Sequence, residues 1–153
     1  MMKILFTCTG NICRSAAAEY ILRTKLKQAG IKGVEVISAA TYDQEGLARY
    51  PMMGEVMRKK GYPFGGTSHY LRKADVDSSD LCLGFSDYHV ERMKQLADDP
   101  TKVRMFREYC FGEPGEVTDP YYHGREVFES VVETIEQGCD KIVERIKEGK
   151  LLD

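Results

Sequence analysis

Residues 3–22 read Lys-Ile-Leu-Phe-Thr-Cys-Thr-Gly-Asn-Ile-Cys-Arg-Ser-Ala-Ala-Ala-Glu-Tyr-Ile-Leu, with the first cysteine at Cys8 and the arginine at Arg14. The apolar run Ile4-Leu5-Phe6 suits a strand buried on both faces, and the run from Ala16 suits a helix. Between them lies a tight loop containing Gly10. A strand, a loop and a helix start in this order direct backbone N–H groups and the positive end of a helix dipole into one concavity, which favours an anion, phosphate above all. The loop opens on Cys8, for which the helix terminus, the amides and a guanidinium all favour the thiolate. It closes on Arg14, whose planar fork matches two phosphoryl oxygens. The stretch therefore points to covalent phosphoryl transfer at one short loop.

Working outward, the first strand is expected over Lys3 to Thr7 and the first helix over about Ser15 to Ala29. Its stripe is Ala18, Leu22, Leu26 and Ala29, Glu19 lies in a favourable first turn, and Gly30 is the stop. Ser15 either caps this helix or turns its hydroxyl toward the cysteine. A second strand is expected over Val34 to Ser38, followed by a loop over Ala39 to Arg49 that can overhang the site. A helix from Pro51 to Lys60, with Met53, Val56 and Met57 inward, stops at Gly61. Further signals are one short helix within Lys73 to Ser79, a strand over Leu81 to Phe85, a helix over Asp87 to Ala97 and a strand over Val103 to Phe106. A Gly-, Pro-, Asp- and Tyr-rich loop spans Tyr109 to Gly124. A long amphipathic helix then runs over Arg125 to Lys147, with Phe128, Val131, Val132, Ile135, Cys139, Ile142 and Ile146 as its stripe. Strands alternating with helices predict an α/β, three-layer sandwich: an open parallel sheet of about four strands with helices on both faces, in a single domain over residues 1–153. Ligand sites of such sheets lie outside the carboxyl ends of the strands, where Cys8, Tyr42 and the Phe85-Ser86-Asp87 segment all fall.

The chain has 153 residues, a formal charge of -2 and a sequence pI near 6.0, so it carries no global basic field and nucleic acid is a poor partner. No apolar run approaches a membrane span, and Met1 to Phe6 is too short for a signal segment, so a cytoplasmic location without membrane insertion is expected. The five cysteines are an odd number and do not suggest a secreted disulfide framework. Cys82, Cys110 and Cys139 read as buried small hydrophobes. Cys8 and Cys13 have no second Cys or His pair at zinc-finger spacing, and no metal or cofactor is expected.

An alkoxide or phenoxide leaves a phosphorus centre badly without a proton, so a general acid is required from another loop at the same edge. Asp119, within Thr118-Asp119-Pro120-Tyr121-Tyr122, is the candidate. Pro120 holds Asp119 extended, and Tyr121 and Tyr122 can wall an aromatic leaving group.

With the loop Cys8-Thr9-Gly10-Asn11-Ile12-Cys13-Arg14-Ser15 and the block Asp119-Pro120-Tyr121-Tyr122, the chain resembles a low-molecular-weight protein tyrosine phosphatase over essentially its whole length. The resemblance implies metal-free hydrolysis of phosphotyrosine through a phosphocysteine. Cys8 is then the nucleophile, Arg14 the phosphate clamp, and Asp119 the acid and later the base that activates water. Thr9 to Ser15 bind phosphate, Ser15 stabilises the thiolate, and Asn11 holds the loop in shape. Cys13 is placed for a reversible protective disulfide with Cys8, and Ser38 and His69 support the loop from behind. Ile12, Tyr42, Tyr121 and Tyr122 form the substrate pocket. The implied partner is a phosphotyrosyl protein, for which a bacterial tyrosine kinase is one fit, with inorganic phosphate as product.

The chain departs from the family after strand two, where Ser38-Ala39-Ala40-Thr41 has Ala40 for the usual glycine and Tyr42 stands near the place of a wall tryptophan. It departs again at Phe85-Ser86-Asp87. Two rival enzymes share the architecture. Protein-arginine phosphatases carry a threonine where this chain has Ile12, and arsenate reductases need further relay cysteines, for which Cys82 is badly placed within a strand. A phosphopeptide-binding module without turnover would be expected to have lost Cys8 or Asp119. His89 and His123 read as solvent-exposed, and Tyr20, Tyr50 and Tyr109 as packing or surface residues.

Overall fold

A computed structural model describes residues 1–152. Four strands, β1 (Met2–Cys8), β2 (Val34–Ala40), β3 (Leu81–Gly84) and β4 (Val103–Met105), form an all-parallel sheet in the order β2-β1-β3-β4. The helices are α1 (Arg14–Gln28), α2 (Pro51–Lys59), α3 (Lys73–Asp77), α4 (Asp87–Leu96), α5 (Phe106–Phe111) and α6 (Arg125–Glu148), with a single 3-10 turn at Pro100–Lys102. Among the described residues, no helix is long and apolar enough to cross a membrane.

The sheet is covered on both faces, as an all-parallel sheet must be. Strand alternation sorts the core: Ile4 and Phe6 of β1, Val36 of β2 and Leu81 and Leu83 of β3 pack with α1, α2, α5 and α6. Leu5, Ala39, Cys82 and Val103 pack on the opposite face against Val76 of α3 and Met93 of α4. The six stripe residues of α6 from Phe128 to Ile142 are buried, and Ile146 packs at the edge of the same core. Gly138 of α6 lets that helix sit on the Phe106 ring, since a Cβ there would stand 2.2 Å from Phe106 Cζ. The expected three-layer α/β architecture is therefore what the chain adopts.

Four local expectations are corrected. The first helix begins at Arg14 and ends at Gln28, so Ala29 is exposed rather than part of the stripe, and Glu19 lies beyond the first turn. The strand expected to end at Ser38 continues to Ala40, because β1 pairs with it as far as Cys8↔Ala40. Part of the loop expected over Tyr109 to Gly124 is helical: α5 ends at Phe111, closed by Gly112 at φ 67°. A helix of six residues, mostly poor helix formers, shows too little periodicity to be read. His89 is buried, at 1% exposure, not solvent-facing.

Because the connection after β1 leads to β2 on one side and the connection after β3 leads to β4 on the other, the carboxyl ends of β1 and β3 border a topological switch point. Both loops that follow these strands open there.

Candidate active site

Cys8 is the last residue of β1, and residues 9–13 turn without regular structure into α1. Cys13 at the helix entry makes no side-chain cap, and the first helical backbone bond is Ala17 N–H to the Cys13 carbonyl. The amide of Ser15 points instead at Cys8 Sγ, 3.4 Å away. Asn11 sits at φ 55°, the left-handed region costly for a residue with a side chain, and its amide group is fully engaged there. Its Nδ2 donates to Ser15 Oγ and Ser38 Oγ, each at 2.8 Å, and its Oδ1 accepts from the His69 N–H at 3.0 Å and Arg49 Nη1 at 3.1 Å. Arg49 also donates to the Asn11 carbonyl. Ser38 Oγ donates to buried Glu19 Oε1 at 2.5 Å.

This network orients the Cys8 side chain. With Asn11 Nδ2 donating into Ser15 Oγ, the Ser15 proton is available to Cys8 Sγ at 2.8 Å. Of the two roles open to Ser15, the structure has the hydroxyl turned toward the cysteine.

Arg14 is 3% exposed, and its charge is held by fixed acceptors. Nη1 donates to the Val117 carbonyl at 2.9 Å and to Ser86 Oγ at 3.1 Å, while Nη2 stands 3.6 Å from Asp119 Oδ2. The Asp119 loop is tied down on either side of the carboxyl. Val117 N–H donates to the Phe85 carbonyl at 2.9 Å, Pro120 is buried, and Tyr121 N–H donates to Asp119 Oδ1 at 3.1 Å. Tyr121 lies against Tyr50 with ring centroids 5.0 Å apart, and Tyr122, 89% exposed, stands edge-on to Tyr121.

A cleft of about 460 Å³ results, lined by Cys8, Thr9, Gly10, Ile12, Cys13, Arg14, Tyr42, Asp119, Tyr121 and Tyr122, together with Gln44 and Leu47. Asn11, Ser15 and Ser38 stand behind the loop as its internal bracing. His69 reaches the loop through its backbone N–H rather than its ring. The ring bonds Asp75 at 2.8 Å and Glu45 at 3.2 Å; burial opposes its charge, but these carboxylates outweigh burial and raise its pKa. Burial pushes the Cys13 thiol up, and the neighbouring charges of Cys8 and Asp119 add to the shift.

Glu19, Arg49 and His89 also belong to the site, and sequence reading passes over them. Glu19 carries a signal, an acid inside an otherwise apolar helical run beside the loop. Arg49 carries none, because it acts from an irregular segment. His89 Nδ1 accepts from Phe85 N–H at 3.3 Å and Ser86 N–H at 3.0 Å, so the ring proton sits on Nε2 and is donated to Thr9 Oγ1 at 2.9 Å. Burial, with Arg14 nearby, lowers the His89 pKa to about 3 and keeps the ring neutral.

A thiol held by a hydroxyl and an amide, a buried guanidinium and a carboxyl across the same cleft have the parts for attack on phosphorus with protonation of the leaving group. Comparison with known proteins gives the same direction. A low molecular weight protein-tyrosine-phosphatase from Streptomyces coelicolor is 32% identical over 154 residues, covering 95% of this chain and 94% of its own. The crystal structure of a protein tyrosine phosphatase from Entamoeba histolytica superposes with a TM-score of 0.92 at 28% identity, covering 99% of this chain and 100% of that one. The YwlE arginine phosphatase from Geobacillus stearothermophilus superposes with a TM-score of 0.89 at 27% identity, covering 99% and 96%. The family described as low molecular weight phosphotyrosine protein phosphatase matches residues 3–151, and with the Cys8 loop, the buried arginine and the facing carboxyl in place this chain belongs to that family.

Proposed function

We propose that this protein hydrolyses phosphotyrosine in proteins through a phosphocysteine on Cys8. The observation that carries the reading is the convergence of Cys8, Arg14 and Asp119 on a cleft walled by Ile12, Tyr42, Tyr121 and Tyr122. In the first step the Cys8 thiolate attacks phosphorus, the bond to the phenolic oxygen breaks, and the Asp119 carboxyl gives its proton to that oxygen. In the second step Asp119, now a carboxylate, takes a proton from water. The resulting hydroxide displaces sulfur from phosphorus, which releases inorganic phosphate and restores the thiolate. Arg14 clamps the phosphoryl oxygens in both steps, with the amides of Thr9 to Ser15 and the helix terminus. Ser15 donates a hydrogen bond to the Cys8 sulfur each time the thiolate is free.

Ile12, Tyr42 and the two tyrosines after Pro120 give an apolar slot that suits a phenyl ring better than a guanidinium. Cys13 shares the cleft with Cys8, which supports a protective role. A peroxide converts the Cys8 thiolate to a sulfenic acid, and the Cys13 thiol then displaces water from it to leave a disulfide. The partner is a phosphotyrosyl protein in the cytoplasm, a bacterial tyrosine kinase being one substrate of that chemistry.

The test is a panel of phosphotyrosine, phosphoserine and phosphoarginine peptides and arsenate, assayed without added metal. Phosphotyrosine is expected to turn over fastest. Faster release from phosphoarginine would replace this reading with that of the YwlE relatives.

A further inference from the structure

Tyr50 touches both halves of the cleft. Its backbone N–H donates to the Ile12 carbonyl in the cradle at 3.2 Å. One neighbour of its ring is Phe128, fully buried in α6, stacked with centroids 5.5 Å apart and planes 5° from parallel. Another is Tyr121, at 5.0 Å and 53°. Tyr121 in turn gives its N–H to Asp119. Pro51 follows, restricting Tyr50 to the extended backbone it adopts, φ -66° and ψ 128°, at the entry of α2. The ring is thus a fixed post between the core and the loop that bears Asp119.

We infer that Tyr50 is a positioning residue for proton transfer: through Tyr121 it sets where the Asp119 carboxyl stands relative to the Cys8 cradle. The inference rests on the reading of Asp119 as the proton donor. Val117, held between Phe85 and Arg14, and Glu116, whose carboxylate accepts from Asp87 N–H at 2.8 Å, restrain the segment before Asp119. The aromatic contact restrains the segment after it. Without the post, the carboxyl keeps its chemistry and loses its place, and small displacements of a catalytic group reduce rates by an order of magnitude or more. The contact uses the ring face, so phenylalanine can replace tyrosine.

The experiment is kcat/KM on aryl phosphates whose leaving phenols range from phenol to dinitrophenol. A weakly acidic phenol needs the proton and a strongly acidic one does not. Wild-type enzyme and Tyr50→Phe are expected to depend little on the phenol. Tyr50→Ala and Tyr50→Leu are expected to lose about 10-fold or more on phenyl phosphate, and to stay within about twofold on the dinitrophenyl ester, as a folded enzyme with an intact nucleophile does. Asp119→Asn should show the steep dependence, and adding Tyr50→Ala to it should make it no steeper. Equal losses on every ester in both the alanine and leucine variants, or a Tyr50→Phe enzyme as impaired as Tyr50→Ala, would overturn the role of Tyr50 while leaving Asp119 in place. A shallow dependence in Asp119→Asn would overturn the assignment of Asp119 and the inference with it.

Discussion

Arg14 Nη2 and Asp119 Oδ2 face each other at 3.6 Å across the cleft, the arginine buried and the carboxylate half exposed. On the proposed function, the group that clamps phosphate is paired with the group that protonates the leaving oxygen. An incoming phosphoryl group would compete for the same guanidinium and separate the pair, so that substrate binding and liberation of the acid would be one event.

Asp119→Ala is expected to lower turnover of an aryl phosphate by roughly 100-fold or more, the usual weight of general acid catalysis. The same change leaves Arg14 without its counter-charge, so inorganic phosphate should inhibit the variant at lower concentration than the wild type. Steady-state kinetics with phosphate as inhibitor measure both effects, and an unchanged rate would place the proton donor elsewhere.

Cys8→Ser should abolish hydrolysis while phosphate still binds, because the amides and Arg14 remain. Binding by calorimetry and turnover by phosphate release separate these properties. Activity near wild type would sink the phosphocysteine route.

After brief peroxide treatment, dithiol should restore wild-type activity and fail to restore Cys13→Ser to the same extent. Cys82, Cys110 and Cys139 are all buried and offer the sulfenic acid no equivalent partner in the cleft. Equal recovery would remove the protective role.

His89 gives stability a definite pH dependence. Its pKa is about 3 in the folded protein against 6.5 as an unperturbed group, with burial the first cause. Between those values the unfolded chain binds the extra proton, so stability present above pH 6.5 is lost as pH falls, by up to about 1.4 kcal/mol per pH unit. His69, with its pKa raised, has the opposite sign: its contribution is present below 6.5 and is lost as pH rises through the folded value. Urea midpoints between pH 7 and pH 5 should fall less steeply in His89→Asn than in wild type; parallel slopes would contradict the assignment.

Gly138→Ala drives a methyl group to 2.2 Å from Phe106 Cζ and 2.6 Å from Phe106 Cε1, within a ring cluster that also holds Phe6 and Phe85. A loss of roughly 1–3 kcal/mol is expected from such overpacking. Gly65→Ala, in a loop with nothing within 4 Å, is the control and should be nearly neutral. Denaturant melts of the two variants test the contrast.

Much of this was legible in the sequence because it was written in local order. An apolar run, a glycine-bearing loop and a helical run specify β1, the cradle and α1. The buried stripe of α6 has the 3.6-residue period that sequence reading detects best. Asp119 stands out in the sequence because phosphoryl transfer to water asks for an acid and this carboxylate lies in a loop beside a proline and two tyrosines; the structure brings it to within 3.6 Å of Arg14. What escaped was whatever depends on pairing across the chain. Arg49 reaches Asn11 from a segment without periodicity, and a histidine at position 89 looks like any other in an amphipathic helix until β3 and Thr9 are brought against it. The support expected from His69 comes through its backbone amide rather than its ring, a distinction that a sequence does not carry.

The two halves of the cleft are attached to the molecule with unequal firmness. Cys8 ends a strand hydrogen-bonded to β2 on one side and β3 on the other, so its amide neighbourhood opens only when the sheet does. Asp119 stands in a loop outside the sheet, held by the bonds of Val117 to Phe85 and Arg14, by buried Pro120 and by a ring contact at Tyr121. On gradual heating, hydrogen exchange should reach the Asp119 loop well before the cradle. The protein would then pass through an interval in which it is still folded and can still form a bond to phosphorus, but releases only those leaving groups that need no proton.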